Sequence, residues 1–558
     1  MVFIMTATEK SPTIMDMTLS VTRFGPSRHV RALTALSAAL LLNACAGSQI
    51  AQDNGRADRA FSLPAATEVI AAGYENIAEK YLEPLAVRDI GMEGLRGLGA
   101  IDPAIAIEIS DNTVRLSGNG TEFAREPLPQ KDDAYGWALI TARATMAARR
   151  WSDEMRRASS EKIYEAVFDG MLSELDIYSR YSGRDDAQRN RARRDGYGGV
   201  GLRLRPRNGG FEISRITPGT PAAEAGLRPG DVIVSADGVP LKGMPMRKIV
   251  SLLRGPVDTA VNLKLTRTDR PEGWNVDLIR RHIVPITVTH SFKNGILYAH
   301  VDSFNQKTAD SVRKAVLKTK AETSVPIKGM ILDLRGNPGG LLRQSVKLAN
   351  LFLTQGHIIT TRGRHPDSVH HYNADGNDIL EGQPLVILID GKSASAAEIS
   401  AAALQDRGRA VVIGTSSYGK GSVQTVIRLP NDGELTITWS KLITPTGYTL
   451  HGLGVHPIVC TSSKAHYGAP EGGSAQDPIL VAIGEGKTQA DILARWRRGG
   501  ILDEDERSHL RDTCPPEPHG DGNKDRDMAR RLIEDRTLYA RALTFTATTA
   551  QADTTVRR

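Results

Sequence analysis

The sequence predicts a multidomain α/β protein, and three patterns along the chain lead to that prediction. Between residues 283 and 459, strand patterns alternate with helix patterns. The strands Met330–Leu334 and Leu385–Ile389 are almost continuously apolar, as expected for a sheet that helices cover on both faces. Residues 196–269 combine glycine-rich turns with short strands, whereas residues 61–195 are mostly helical in pattern. A chain of 558 residues is long enough to form several such domains.

Residues 1–44 are predicted to be a lipoprotein-type signal peptide. Arginines precede the apolar run Ala32–Leu42, which is the order of charge and hydrophobicity in a secretory leader. The run ends in Leu42-Asn43-Ala44-Cys45, which resembles the lipobox of bacterial lipoproteins, where the cysteine thiol is acylated. Cys45 is therefore the predicted lipidation site, with residues 45–60 as a polar tether. A plain signal peptide with an incidental cysteine is the alternative.

This leader predicts a protein of the bacterial cell envelope, on the periplasmic side, attached to a membrane through its lipid. Ala46 after the cysteine resembles the sorting pattern of outer-membrane lipoproteins, which favours the outer over the inner membrane. No apolar run of the sequence reaches the roughly 18 residues that span a bilayer. The net charge of +7 is small and diffuse, so nucleic acid is not an expected partner.

Two further features of the sequence leave alternatives open. Cys460 and Cys514 could form one disulfide in an oxidising compartment, but two free thiols are equally compatible with the sequence. The arginine cluster between Arg189 and Arg194 is interpreted as a solvated linker, with a binding patch as the alternative.

Two turns of small residues in the α/β region have the composition of a catalytic site. The turn LDLRGNPGG, Leu332–Gly340, lacks the lysine spacing of a phosphate loop, and its glycines suit an oxyanion hole. The turn DGKSASAAEIS, Asp390–Ser400, places Ser395 at the start of the predicted helix Ala396–Arg407. There the helix dipole stabilises a developing negative charge, although capping is the commoner role of such a serine.

A third turn, SSYGKGSVQ or Ser416–Gln424, offers a base for that serine where no histidine is near. Lys420 lies between two glycines, so the surrounding backbone can approach it closely. Burial lowers the pKa of a lysine, and a neutral amine can act as general base. Gln424 could hydrogen-bond the amine and orient it. An exposed lysine on a surface turn is the alternative.

Together the three turns resemble the carboxyl-terminal processing proteases, the tail-specific serine peptidases of family S41. The family's Ser-Ala-Ser-Ala-x-Glu-Ile stretch corresponds to Ser393–Ile399, and its Gly-Lys-Gly to Gly419–Gly421. The resemblance implies a ClpP/crotonase-like ββα core at residues 283–459. The resemblance implies that Ser395 is the nucleophile, Lys420 the base and Gln424 the residue that orients the lysine amine. It also implies an oxyanion hole formed by the amide of Ala396 and the amide of either Gly339 or Gly340.

The segments GGVGLRL and GLRPGDVIVSADG resemble the carboxylate-binding loop and following turns of a PDZ domain. The resemblance implies an inserted PDZ domain at residues 196–269. In that binding mode an extended peptide adds a strand, and its terminal carboxylate lies on backbone amides. The residues that match the loop are Gly199, Val200, Gly201 and Leu202. A simple hairpin turn is the alternative for this glycine run.

The expected function is an exported serine endopeptidase that recognises protein C-termini through its PDZ domain and processes or degrades envelope proteins. No cofactor is expected, and the partners are substrates with a free C-terminus, an adaptor protein and a second copy of the chain. Residues 460–543 are expected to form a C-terminal extension and residues 544–558 a disordered tail. The rival functions are a non-catalytic PDZ scaffold and a metal-dependent hydrolase using His365, His370 and His371.

Overall fold

The computed structural model describes residues 61–207, 209–463, 479, 494–496, 504–519 and 522–547. The predicted leader, its lipidation site Cys45 and the tether lie outside the described residues. In the part of the chain that is described, no helix is both long and apolar enough to cross a membrane.

The N-terminal region is mostly helical, as predicted, and its helices pack around a three-stranded antiparallel sheet. Asp133 begins the third helix by accepting a hydrogen bond from the Gly136 amide at 2.9 Å, which satisfies one free N–H of the first turn. The core of the region buries large aromatic side chains, among them Tyr74, Trp137 and Phe168. The elements are α1 Leu63–Lys80, α2 Val87–Arg96, β1 Ile105–Ser110, β2 Thr113–Gly118, β3 Thr121–Pro127, α3 Ala134–Trp151, α4 Asp153–Arg157 and α5 Ser160–Leu172.

The arginine cluster that the sequence suggested to be a solvated linker is instead part of a docked helix, so that interpretation is wrong. The strand β4, Arg180–Ser182, leads into the helix α6, Arg184–Arg194. Arg191 and Arg194 both donate to the buried Glu434 carboxylate, at 3.2 and 3.0 Å. A buried carboxylate requires such partners, which is why the helix lies against the protein rather than in solvent.

The predicted PDZ module is a small domain built on one antiparallel sheet with strand order β11-β10-β8-β7-β6. Ile213, Ile233 and Leu263 from the sheet and Ile249 from the longer helix fill its core. The strand β6 lies at the sheet edge, and the predicted end of the module at residue 269 falls between the last two strands. The elements are β5 Tyr197–Gly199, β6 Leu202–Arg207, β7 Gly210–Ile216, α7 Pro221–Glu224, β8 Val232–Ala236, β9 Val239–Pro240, α8 Met246–Leu253, β10 Ala260–Arg267 and β11 Arg270–Ile279.

The protease-like core contains a six-stranded sheet in which β14, β15, β18, β19 and β22 run parallel, and β13 is an antiparallel edge strand. A short strand, β12, precedes it and pairs with β5. Helices α9, α10 and α11 pack on one face. The elements are β12 Arg281–Ile283, β13 Val288–Lys293, β14 Ile296–Val301, α9 Thr308–Glu322, β15 Gly329–Asp333, α10 Leu342–Asn350, β18 Leu385–Ile389, α11 Ala396–Asp406, β19 Val411–Gly414 and β22 Val459–Cys460.

A second sheet, of order β17-β16-β21-β20, lies beside the first and also holds β4 through β21. Residues of β20 and β21 join the core of the N-terminal region, so that region and the protease-like core share a packed interface. The strands are β16 Gly356–Arg362, β17 His370–Ala374, β20 Ser422–Arg428 and β21 Glu434–Ile443.

The C-terminal extension covers the second face of the six-stranded sheet. Its helices are α12 Glu504–Arg511, α13 Asn523–Glu534 and α14 Arg536–Ala547. Leu532 and Ile533 from α13 pack against Val386 and Leu388 of the central strand β18. The sheet is thus buried on both faces, as its apolar strands predict.

Two expectations about this extension are now decided. Cys460 at the end of β22 forms a disulfide with Cys514, so the extension is covalently joined to the core. The helix α14 runs to Ala547, and the prediction of a disordered tail is therefore wrong for residues 544–547. Residues 548–558 lie outside the described part of the chain.

Candidate active site

The three predicted turns meet at one edge of the six-stranded sheet. They follow β15, β18 and β19, which are neighbouring parallel strands, so their carboxyl ends lie side by side. Backbone hydrogen bonds join the turns directly. The Ala394 amide donates to the Asn337 carbonyl, and the Tyr418 amide donates to the Ser393 carbonyl, both at 2.9 Å. The arrangement can therefore bring a nucleophile, a base and oxyanion donors to one place.

Of the serines in the second turn, Ser395 has the position of a nucleophile. Ser393 and Ser400 are fully buried and donate their hydroxyls to backbone carbonyls. Ser395 is partly exposed, immediately before the helix α11, with φ of 54° and ψ of −111°. A positive φ at a residue other than glycine costs energy, and such strain is typical of functional sites. Ser395 is the N-cap residue of α11, so the capping position and the position predicted for the nucleophile are the same.

The first turn packs tightly against Ser395 and Ala396. An ideal Cβ at Gly339 would lie 2.8 Å from the Ala394 oxygen and 3.0 Å from the Ala396 nitrogen. Gly340 has φ of 140°, and an ideal Cβ there would lie 2.1 Å from the Phe304 oxygen. Glycine is required at both positions, as expected for a loop whose backbone approaches a reacting atom.

The two candidate glycine amides of the oxyanion hole differ in availability. The Gly339 amide already donates to the Asn337 side-chain oxygen at 2.8 Å. In contrast, the amides of Gly340 and Ala396 donate no hydrogen bond to any described residue. The geometry therefore favours Gly340 over Gly339 as the second donor beside Ala396.

Glu398 is the functional residue that the sequence prediction missed. Its carboxylate is fully buried and accepts hydrogen bonds from the backbone amides of Ser395, Gly419 and Lys420 at 2.7, 2.7 and 2.9 Å. The Ser417 hydroxyl donates to it at 2.5 Å. The Glu398 side chain thus joins the second turn, which contains Ser395, to the third turn, which contains Lys420. Its spacing from Ser395 is that of a capping box, which is the sequence signal that could have identified it.

Burial raises the pKa of the Glu398 carboxyl, because an apolar environment disfavours the charged form. The hydrogen bonds from Ser417 and from the surrounding amides oppose that shift. The Ser417 hydroxyl in turn accepts a hydrogen bond from the Val455 amide at 2.7 Å. Glu398 therefore lies at the centre of a small buried network in which hydrogen bonds satisfy both its carboxylate and the Ser417 hydroxyl.

Lys420 has the lowered pKa that its proposed role requires. Burial is the largest cause, and the nearby Arg180 lowers the pKa further, while Asp176 and Glu398 oppose the shift. Its amine nitrogen lies 4.5 Å from the centre of the Tyr178 ring. The flanking glycines allow this burial, since an ideal Cβ at Gly421 would lie only 2.0 Å from the His451 nitrogen. The predicted direction of the pKa shift is confirmed.

The direct hydrogen bonds expected of Lys420, to Ser395 and to Gln424, are not formed in this structure. No hydrogen bond links Lys420 Nζ to Ser395 Oγ or to Gln424, all three residues being in the described chain. The Gln424 amide nitrogen instead donates to the hydroxyls of Ser422 and Thr438, at 2.9 and 3.1 Å. Catalytic hydrogen bonds are often long without substrate and shorten when it binds.

The PDZ loop has the features that carboxylate binding requires. The carbonyls of Val200 and Gly201 accept hydrogen bonds from Ala222 and Thr217, which fixes the loop. The amides of Val200 and Gly201 donate to no described residue. Gly199 ends β5, Gly201 has φ of 87°, and Leu202 begins the edge strand β6. Two available amides therefore lie beside an edge strand, as a terminal carboxylate on an added strand requires.

The histidines of the rival metal-site hypothesis have other partners. His365 accepts a hydrogen bond from the Asp367 amide and lies 3.2 Å from the Glu79 carboxylate. His371 contacts the Thr360 hydroxyl at 3.0 Å, and His370 belongs to the same strand, β17. Among the residues described, no three His, Cys, Asp or Glu side chains gather as a metal site requires.

Comparison with known proteins gives matches in both modules. Residues 295–459 match the family described as Peptidase family S41, and residues 212–267 match the PDZ domain. A carboxy-terminal-processing protease of Bartonella bacilliformis is 34% identical over 338 residues, which cover 60% of this chain and 76% of that protein. A probable CtpA-like serine protease of Staphylococcus aureus is 31% identical over 312 residues, covering 55% of this chain and 62% of the relative.

Among solved structures, the photosystem II D1 C-terminal processing protease is 22% identical to this chain, with a TM-score of 0.34. The match covers 70% of this chain and 92% of the chain in that structure. The PDZ domain of a carboxy-terminal protease from Vibrio cholerae, solved with a peptide, is 25% identical. It covers 16% of this chain and 98% of its own, with a TM-score of 0.15.

Replacing Glu398 tests its structural role. Glu398→Ala leaves three amides and one hydroxyl without their buried acceptor, and we expect the free energy of unfolding to fall by about 2–5 kcal/mol. Urea unfolding followed by circular dichroism measures this change. The matched control is Glu272→Ala, since Glu272 is exposed, and we expect it to lie within about 0.5 kcal/mol of wild type. Equal free energies of unfolding for the two variants would contradict the structural role assigned to Glu398.

Proposed function

The chain belongs to peptidase family S41, the carboxy-terminal-processing proteases, and we propose that it cleaves peptide bonds with Ser395 as nucleophile and Lys420 as general base. The observation that carries the proposal is the Glu398 carboxylate, which holds the turns of both residues together around a lysine of lowered pKa. A scaffold that only binds protein tails would need neither the buried network nor a perturbed lysine.

In the proposed reaction, neutral Lys420 takes the proton of the Ser395 hydroxyl as the oxygen attacks the scissile carbonyl carbon. The amides of Ala396 and Gly340 stabilise the oxyanion, and the helix α11 adds the positive end of its dipole. The Lys420 ammonium then gives its proton to the leaving amine. Water, deprotonated by the same lysine, hydrolyses the acyl-enzyme and regenerates the serine.

For this reaction Lys420 Nζ, which lies 4.5 Å from the centre of the Tyr178 ring, must come within hydrogen-bond distance of Ser395 Oγ. In that position the Gln424 side chain can orient the amine through its carbonyl oxygen, since its amide nitrogen is already bonded to Ser422 and Thr438. Substrate in the cleft would exclude water and strengthen the burial that keeps the lysine neutral.

We also propose that the protein is exported and anchored by a lipid on Cys45, and that its substrates are envelope proteins selected by their C-termini. The basic and apolar leader supports export, and the available amides of Val200 and Gly201 support capture of a terminal carboxylate.

The role of Lys420 predicts a specific pattern of activities. The reference pKa of lysine is about 10.4, so burial must lower it by whole units for a neutral amine near pH 7. Activity should rise as pH increases through the lowered lysine pKa and persist in alkali. Lys420→Arg should be inactive although it keeps the charge, because guanidinium stays protonated.

Ser395→Ala and Lys420→Ala should each lower kcat by about 10³-fold or more, and the double variant should be no worse, because the two residues act as one unit. Gln424→Ala should cost only about 10-fold, since it orients the amine. Cleavage of an unfolded substrate protein measures all four variants. Substantial proteolysis by Lys420→Ala would place the base elsewhere.

The PDZ loop predicts a requirement for a free terminal carboxylate. A substrate peptide with a C-terminal acid should bind at least about tenfold more tightly than its amide, because the amide group lacks the charge that the loop captures. Titration of the Ser395→Ala protein with fluorescent peptides of both kinds gives the two affinities. Equal affinities would exclude carboxylate recognition.

The leader predicts that the mature chain begins at a lipidated Cys45. Mass spectrometry of protein from the membrane fraction should find acyl chains on the N-terminal peptide. A Cys45→Ser variant should appear in the soluble fraction with unchanged peptidase activity. A mature N-terminus elsewhere, without lipid, would contradict this prediction.

A further inference from the structure

One side chain of the C-terminal extension, Arg511 at the end of α12, contacts the turn that carries Lys420. Its guanidinium donates to the carbonyls of Gly452 and Leu453, at 2.9 and 2.8 Å, and to the Ser417 carbonyl at 3.2 Å. Ser417 lies in the turn that carries Lys420. The Gly452 segment borders the same turn, since the Gly452 amide donates to the Gly419 carbonyl at 3.0 Å. Arg511 thus ties together two backbone segments that enclose the lysine.

The fit between Arg511 and the lysine turn is close. Gly419, next to Lys420, has φ of 93°, and an ideal Cβ there would lie 2.8 Å from Arg511 Nη1. The planar guanidinium therefore lies directly against the turn, and the positive φ of Gly419 favours glycine at this position. A lysine at position 511 could not reach all three carbonyls in the same way, because its ammonium lacks the fork of donors.

Arg511 also supplies a positive charge near the buried carboxylate. Burial lowers the pKa of Arg511, and attraction to Glu398 opposes that shift. Other titratable groups around this centre are Tyr418 and Lys420 on the lysine turn, and Asp176, Tyr178 and Arg180 on the segment after α5. When Lys420 is neutral, as catalysis requires, the positive charge of Arg511 remains to balance Glu398.

The backbone that carries Arg511 is fixed to the core at several points. Cys514, which follows closely after Arg511, is joined by the disulfide to Cys460. The Thr513 hydroxyl contacts His456 Nε2 at 3.1 Å. Glu517 exchanges hydrogen bonds with Thr415, whose hydroxyl donates to the Glu517 carbonyl at 2.9 Å. The extension therefore holds Arg511 in a defined position relative to the lysine turn.

We propose that Arg511 is a positioning residue of the catalytic centre, which holds the Lys420 turn in the geometry that Glu398 sets and balances the Glu398 charge while the lysine is neutral. The proposal rests on the function proposed above for Ser395 and Lys420. It gives the extension a direct role in catalysis, outside the residues that match the peptidase family.

The test compares Arg511→Gln and Arg511→Lys with wild type and with Arg530→Gln. Arg530 lies on α13 of the same extension and pairs with Asp527 at the surface, so its variant is the matched control. With an unfolded protein substrate, Arg511→Gln should lower kcat by about 10–100-fold with KM changed by less than about threefold. Arg511→Lys should retain an intermediate kcat, and Arg530→Gln should behave as wild type.

The pH profile separates positioning from a general loss of structure. Removing a cation favours the protonated forms of both Glu398 and Lys420, so the acid limb of kcat should move to higher pH, by about half a unit or more. Wild-type kcat and an unmoved acid limb in Arg511→Gln would overturn the proposal. If Arg511→Gln does not fold, Arg511→Lys decides the positioning role through kcat, because lysine keeps the positive charge and should leave the acid limb in place. Wild-type kcat in Arg511→Lys would then overturn the proposal.

A fall in kcat that matches lost thermal stability, without a shift of the acid limb, would also overturn the positioning role. Wild type and Ser395→Ala, measured alongside, test the function on which the proposal rests. Equal and negligible activity of these two proteins would overturn both proposals. An active wild type with unaffected Arg511 variants would overturn the role of Arg511 alone.

Discussion

A single buried carboxylate determines how the catalytic turns of this protein are arranged. Glu398 accepts hydrogen bonds from three backbone amides and one hydroxyl, and two of those amides belong to the turn that holds Lys420. A carboxylate without such donors would be costly to bury, and amides without an acceptor would be costly as well. The interaction therefore forms as a unit or fails as a unit. The turns of Ser395 and Lys420 are therefore held at a set distance by the buried Glu398 carboxylate, although 25 residues separate them in the chain.

The C-terminal extension also contacts the catalytic turns through buried charged side chains. Arg335, in the first turn, is buried and donates to both Asp333 and Asp525, and Asp525 comes from α13 of the extension. His519 also contacts Asp525, at 2.9 Å, which raises the pKa of the imidazole. The extension thus contacts the first turn through Asp525 and the third turn through Arg511, while its helices bury the face of the sheet from which those turns emerge.

The sequence was sufficient for the parts of this structure that follow local rules. Apolar strands predicted the sheet covered on both faces, and the turns after β15, β18 and β19 lie together because adjacent parallel strands end at the same edge. Contacts between distant segments could not be predicted. The Cys460–Cys514 disulfide and the pairing of α6 with Glu434 both depend on distances that no local pattern encodes. The choice of Gly340 over Gly339 depends on one hydrogen bond, which the Gly339 amide donates to the Asn337 side-chain oxygen.

Lys420 shows why the surroundings of the protease-like core matter for its chemistry. Burial and Arg180 favour the neutral amine, whereas Asp176, Glu398 and the face of the Tyr178 ring favour the ammonium. Three of these groups belong to the short segment between α5 and α6, which the N-terminal region holds against the core through β4. The pKa of Lys420 is therefore set jointly by the core and by the N-terminal region. A movement of that segment relative to β21 would change the surroundings of the amine and therefore the pKa of Lys420.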